Sequence, residues 1–124
     1  MATENTVTGS VLLILNDPPY GTERVFNGLR LAAALAKRDG PEVRVFLMGD
    51  AVAAAIANQK LPDGYYHLDR MIGTCARHGA DIACCGTCMD ARGITDDMLT
   101  KGARRSTLDE LAGWTLSADK VITF

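Results

Sequence analysis

The chain has 124 residues, 48% of them apolar and 23% charged, with a formal net charge of −2. That composition fits one folded domain spanning 1–124, able to bury roughly two-thirds of its unfolded surface, and excludes fibrous or disordered readings. With no basic block, nothing in the charge pattern favours a nucleic-acid partner.

The opening MATENTVTGS is polar, and the apolar run behind it, Val11–Leu15, is too short for a signal-peptide core or a membrane span. A cytoplasmic chain is therefore expected, with its four cysteines reduced. Val11–Leu15 reads as a strand buried on both faces, as in a parallel sheet. Asn16–Thr22 (NDPPYGT) is a loop, since each proline discourages helix at the residue before it. From Glu23 the spacing turns helical, with Phe26, Leu29, Ala33 and Ala36 on one face and Gly40-Pro41 as the stop.

Glu42–Asp50 is β-branched and aromatic and ends in Gly-Asp, which reads as a second strand. Ala51–Gln59 reads as an alanine-rich helix, and Lys60–His67 as a turn-rich loop. Leu68, Met71, Ile72 and Cys75 then keep helical spacing as far as His78, where Gly79 supplies a stop. Ala80–Cys84 is a third strand. A helix follows from just after Cys85 to about Arg92, with a short turn at Thr95–Leu99. Gly102–Thr107 is a weak edge strand, and Thr107 can cap a helix with Glu110 three residues on. Lys120–Phe124 closes as the last strand. This alternation predicts an α/β fold, a three-layer α/β/α sandwich around a mostly parallel sheet.

Three of the four cysteines fall in CCGTC, Cys84–Cys88. Parallel sheets keep their ligand sites beyond the carboxyl ends of the strands. Three loops meet that condition: Asn16–Thr22, Met48–Asp50 and the segment opening at Cys85. Cys84 belongs to the strand and is expected in the core. Cys85 and Cys88 stand at a helix start, where free backbone N–H groups and the positive end of the helix dipole favour thiolate, with pKa values roughly 1–5 units below the free value known in such settings. Arg92, one turn beyond Cys88, adds positive potential, and Asp90 opposes it.

A zinc site of Cys75, His78, Cys85 and Cys88 is disfavoured. A strand of about five residues at roughly 3.3 Å each would hold the two pairs some 16 Å apart, whereas zinc needs all four ligands within about 2.0–2.3 Å of one point. A dinucleotide loop is absent, because NDPPYGT has a single glycine. His67 is a candidate base for a thiol, with nothing in the sequence to fix it there. No metal and no cofactor are expected.

ACCGTCMDARGI (Ala83–Ile94) and NDPPYGTERVFNGLRLAAAL (Asn16–Leu35) resemble the DsrE/DsrF-like family, most of all its YchN-like single-chain members. The likeness extends to VFLMGDAV, GYYHLDRMI and ADKVITF. It implies a five-stranded parallel α/β/α fold assembled into homo-trimers or homo-hexamers. It also implies sulfur-relay chemistry, in which one cysteine accepts sulfane sulfur as a persulfide and passes it to a partner protein's thiol. In the DsrE and TusD branch that cysteine lies eight residues before a glycine. Here Gly93 places the role on Cys85. Cys88 matches the C-G-T-C form of the YchN-like members and would resolve or modulate the persulfide. Asn16, Asp17, Tyr20 and Thr22, with Arg92, are the candidate substrate-binding wall. Two other readings stay open: a CxxC thiol–disulfide protein, and a non-catalytic oligomeric binder whose Tyr65 and Tyr66 serve subunit contacts.

Overall fold

A computed structural model describes residues 9–124. The first eight residues of the expected domain lie outside that range. Five strands are named β1 (Ser10–Leu15), β2 (Glu42–Leu47), β3 (Asp81–Cys85), β4 (Ala103–Ser106) and β5 (Lys120–Thr123), and four α-helices α1 (Arg24–Ala36), α2 (Leu68–Arg77), α3 (Gly86–Ala91) and α4 (Leu108–Ser117). The strands form one sheet in the order β4-β3-β2-β1-β5, and every pairing is parallel. The three central strands are nearly continuous apolar runs because both faces are covered. β4 and β5 are shorter, lie at the edges and carry Arg104 and Lys120, charges that discourage further pairing.

Leu15 pairs with Leu47, so both point to the same face; there α1 and α2 pack side by side. Phe46 points the other way and meets Trp114 of α4 edge-on, with ring centroids 6.2 Å apart. The three layers expected from the sequence are therefore present. The guanidiniums of Arg44 and Arg104 lie 5.4 and 5.6 Å from the Trp114 ring centroid. Arg104 is also gripped by Asp81 at 3.1 Å and by Glu110 at 2.8 Å. Hydrogen bonds from Arg104, and then from Ser106, hold the Glu110 carboxyl down to about 2.

Two local expectations change. The buried face of α1 is Val25, Gly28, Leu29 and Ala32, whereas Phe26 and Ala33 are only partly covered. The helix rolls because it presses closest to the sheet at Gly28, where an added Cβ would come within 2.5 Å of Leu15 Cδ2. Phe26 then stacks sideways on Tyr66 at 4.1 Å. The alanine-rich segment is a 3-10 helix over Gly49–Ala55 rather than an α-helix over Ala51–Gln59. Its Ala51, Val52, Ala54 and Ala55 are buried, while the more exposed Asp50, Ala53 and Ile56 recur every third residue, the period of a 3-10 turn. Ile56 leaves in extended conformation to bridge Leu99.

Candidate functional site

β2 and β3 are neighbours, and Leu47 pairs with Cys84. The residues that follow each strand therefore emerge side by side at the carboxyl edge: Met48-Gly49 from one, Cys85 to Cys88 from the other. Cys84 stays inside, fully buried, and burial pushes its thiol up to about 12. Cys75 is equally buried and donates to the Leu29 carbonyl at 3.4 Å; burial pushes it up to about 11. Neither is a nucleophile at neutral pH.

Cys85 ends β3 and caps α3. Its Sγ accepts the backbone N–H of Cys88 at 3.3 Å and lies 3.3 Å from the Thr87 hydroxyl. Burial raises its pKa, but hydrogen bonds from Cys88 and Thr87, side chain and backbone, outweigh burial and the net shift is downward. Cys88 moves the opposite way. Burial and the sharing of its proton with Cys85 raise it, against the Gly49 N–H and the charge of Arg92. The pair is thus polarised: of the two thiols, Cys85 is the one whose surroundings favour loss of the proton. α3 has only six residues, so discrete donors rather than a long helix dipole set this polarity.

Cys88 has its own amide donor. Gly49 N–H reaches Cys88 Sγ at 3.2 Å. Gly49 has φ +58°, a left-handed conformation costly for residues with a Cβ. Cys85 is 5% exposed, while Cys88 and Met48 are half-buried above it.

Arg92 donates to Asp50 Oδ1 at 2.9 Å and to the Cys88 carbonyl at 3.0 Å. Asp50 therefore offsets its charge, and the guanidinium braces α3 against the 3-10 helix. Asp90 is paired with Arg105 at 3.0 Å, and Arg105 also donates to the Gly86 carbonyl at 3.2 Å. These contacts anchor both ends of the thiol-bearing turn.

The loop after β1 is only partly gathered to this site. The Asn16 side chain donates to the Phe124 carbonyl at 3.2 Å, and its own carbonyl lies beside Gly49. Asp17 accepts from Thr22 at 2.9 Å. The Tyr20 hydroxyl donates to Gln59 and accepts the Leu68 N–H at 3.1 Å, which ties the loop to the start of α2. His67 occupies the N-cap position of α2 with its Nδ1 buried. Among the described residues no hydrogen bond joins Asp17, Tyr20, Thr22 or His67 to either thiol. Tyr66 is taken up by Phe26, and Tyr65 stays exposed. The hollow lined by Ala36–Arg44, His78, Gly79 and Asp81 opens at the amino end of the strands, away from the thiols.

Of the residues beside the thiols, Thr87 was not singled out by residue type, and Met48 and Gly49 entered only as part of the Met48–Asp50 loop. Thr87 lies within the CGTC motif itself, a signal that was readable. Gly49 acts through its backbone, which composition cannot show.

A parallel α/β sheet with two polarised thiols at its carboxyl edge defines a class of small cysteine-bearing α/β proteins. Residues 9–124 match the model of the DsrE/DsrF-like family, and the chain belongs to it. It is 44% identical to Protein YchN of Escherichia coli K12 over 115 residues, covering 92% of this chain and 97% of that one. It is 32% identical over 114 residues to a Methanopyrus kandleri protein, MK0008, covering 92% and 93%. The crystal structure of the E. coli YchN protein superposes with a TM-score of 0.89 at 42% identity, covering 94% of this chain and all of that one. A Methanobacterium thermoautotrophicum protein, MTH1491, shares the fold with a TM-score of 0.76 at 13% identity, over 94% of this chain and 99% of that one.

Proposed function

We propose that this protein carries sulfane sulfur on Cys85 within a cytoplasmic relay, receiving it from one partner and passing it to another. The observation that carries the reading is the convergence of the Cys88 N–H and the Thr87 hydroxyl on Cys85 Sγ. The same donors suit a persulfide anion. Membership in the DsrE/DsrF-like family, which is linked to sulfur relay, supports it. Among the described residues no helix is long and apolar enough to cross a membrane.

In the loading step the Cys85 thiolate attacks the outer sulfur of a donor hydropersulfide, R–S–SH. A Cys85–S bond forms, the donor S–S bond breaks, and R–S⁻ leaves, giving Cys85–S–SH. An acceptor thiolate then takes the outer sulfur and returns Cys85 to the thiolate. Cys88 acts as the modulating thiol. Arg92 and the loop residues Asn16, Asp17, Tyr20 and Thr22 form the proposed substrate wall. Assembly into a homo-trimer or homo-hexamer would bring several such sites into one particle.

Incubating the reduced protein with glutathione persulfide and digesting it is expected to add one sulfur to the Cys85–Cys88 peptide, read by mass. That addition should disappear in Cys85→Ser. A wild-type peptide that shows only a Cys85–Cys88 disulfide, together with a Cys88→Ser peptide that never gains sulfur, would replace the carrier reading with a dithiol redox cycle.

A further inference from the structure

The site gathers a third sulfur besides the two thiols. Met48 follows Leu47, the strand partner of Cys84, and its Sδ lies 4.0 Å from Cys88 Sγ. The Cys88 backbone N–H in turn binds Cys85 Sγ at 3.3 Å, which holds both cysteines on one turn. Two sulfurs each about 2.3 Å from one ion, at a trigonal angle of about 120°, would stand about 4.0 Å apart. The Met48–Cys88 separation already has that value.

From this geometry we infer that Cys85, Cys88 and Met48 form a three-sulfur site for a soft monovalent metal ion, Cu(I). The inference goes beyond sulfur carriage and does not depend on it. Two thiolates and a thioether are soft donors that favour Cu(I) over harder ions. Zinc, by contrast, takes four ligands in its structural sites. Among the described residues no group of three or more His, Cys, Asp or Glu side chains could hold a metal ion. A Cu(I) bis-thiolate carries a net negative charge, and each thiolate here has a backbone N–H beside it, Cys88 N–H on Cys85 and Gly49 N–H on Cys88. Arg92 adds positive charge nearby. Entry is from outside, because Met48 and Cys88 are half-buried while Cys85 lies beneath. Binding displaces the thiol protons, so retention strengthens as pH rises.

The test is anaerobic competition for Cu(I) against a chromophoric Cu(I) chelator, on reduced protein never exposed to a sulfur donor, followed by X-ray absorption at the copper edge. One Cu(I) per chain with three sulfur ligands is expected. Cys85→Ser and Cys88→Ser should each lose the ion, and Met48→Leu should weaken retention about tenfold and leave two sulfurs. The inference is overturned if wild type surrenders all Cu(I) to the chelator or if either serine variant retains it. Two-sulfur coordination in wild type, unchanged in Met48→Leu, overturns it equally. Because sulfur loading is measured separately, either result can fail without the other.

Discussion

Replacing Cys88 with serine is expected to lengthen the lifetime of the Cys85 persulfide by about tenfold or more, since it removes the one thiol positioned for intramolecular attack. In wild type, Cys88 attacks the Cys85 sulfur and the outer sulfur departs. Cys85–S–SH and Cys88–SH become a Cys85–Cys88 disulfide and H₂S. Attack requires the Cys88 thiolate, and burial together with proton sharing raises the pKa of Cys88. Near neutral pH Cys88 is therefore mostly protonated and the persulfide is spared. As pH rises toward the pKa of Cys88, loss of sulfur should accelerate. Sulfide release followed against pH checks both points. The wild-type rate should climb with pH, and the rate in Cys88→Ser should stay low and nearly flat.

The largest effect on stability is expected at Trp114. This single tryptophan fills the layer between α4 and the sheet, 8% exposed, against Phe46 and two guanidiniums. Trp114→Ala removes its buried surface and leaves a cavity, a loss of about 3–5 kcal/mol. Arg44 and Arg104 would then flank a void. For a domain of this size, a Tm drop on the order of 10 °C or more follows. Trp114→Phe, which keeps a ring on Phe46, should cost less than half as much. Thermal melts by circular dichroism would order the three proteins.

Much of this molecule was legible as sequence because its signals are local. Val11–Leu15, the Thr107 cap and the Gly79 stop each act within a few residues. Thr107 Oγ1 does accept the Glu110 N–H, at 3.1 Å. The Glu110 side chain instead turns to Arg104 and Ser106, partners that only tertiary packing supplies. The roll of α1 had the same kind of cause, since the close contact between Gly28 and Leu15 joins residues from two elements. At the site, the strand-to-helix placement of Cys85 followed from pattern alone. The order of the two pKa values did not. It depends on which sulfur receives which amide, and the Gly49 amide comes from the start of the 3-10 helix, 39 residues away.

The most direct measurement of the central claim, that Cys85 is the activated thiol of the pair, is the alkylation rate of each cysteine against pH, resolved by peptide mapping of the wild-type protein. Cys85 should reach half-maximal reactivity at a lower pH than Cys88, its pKa lying below the ordinary thiol value and that of Cys88 above it. A reversed order, or two thiols that both titrate at the free value, would contradict it.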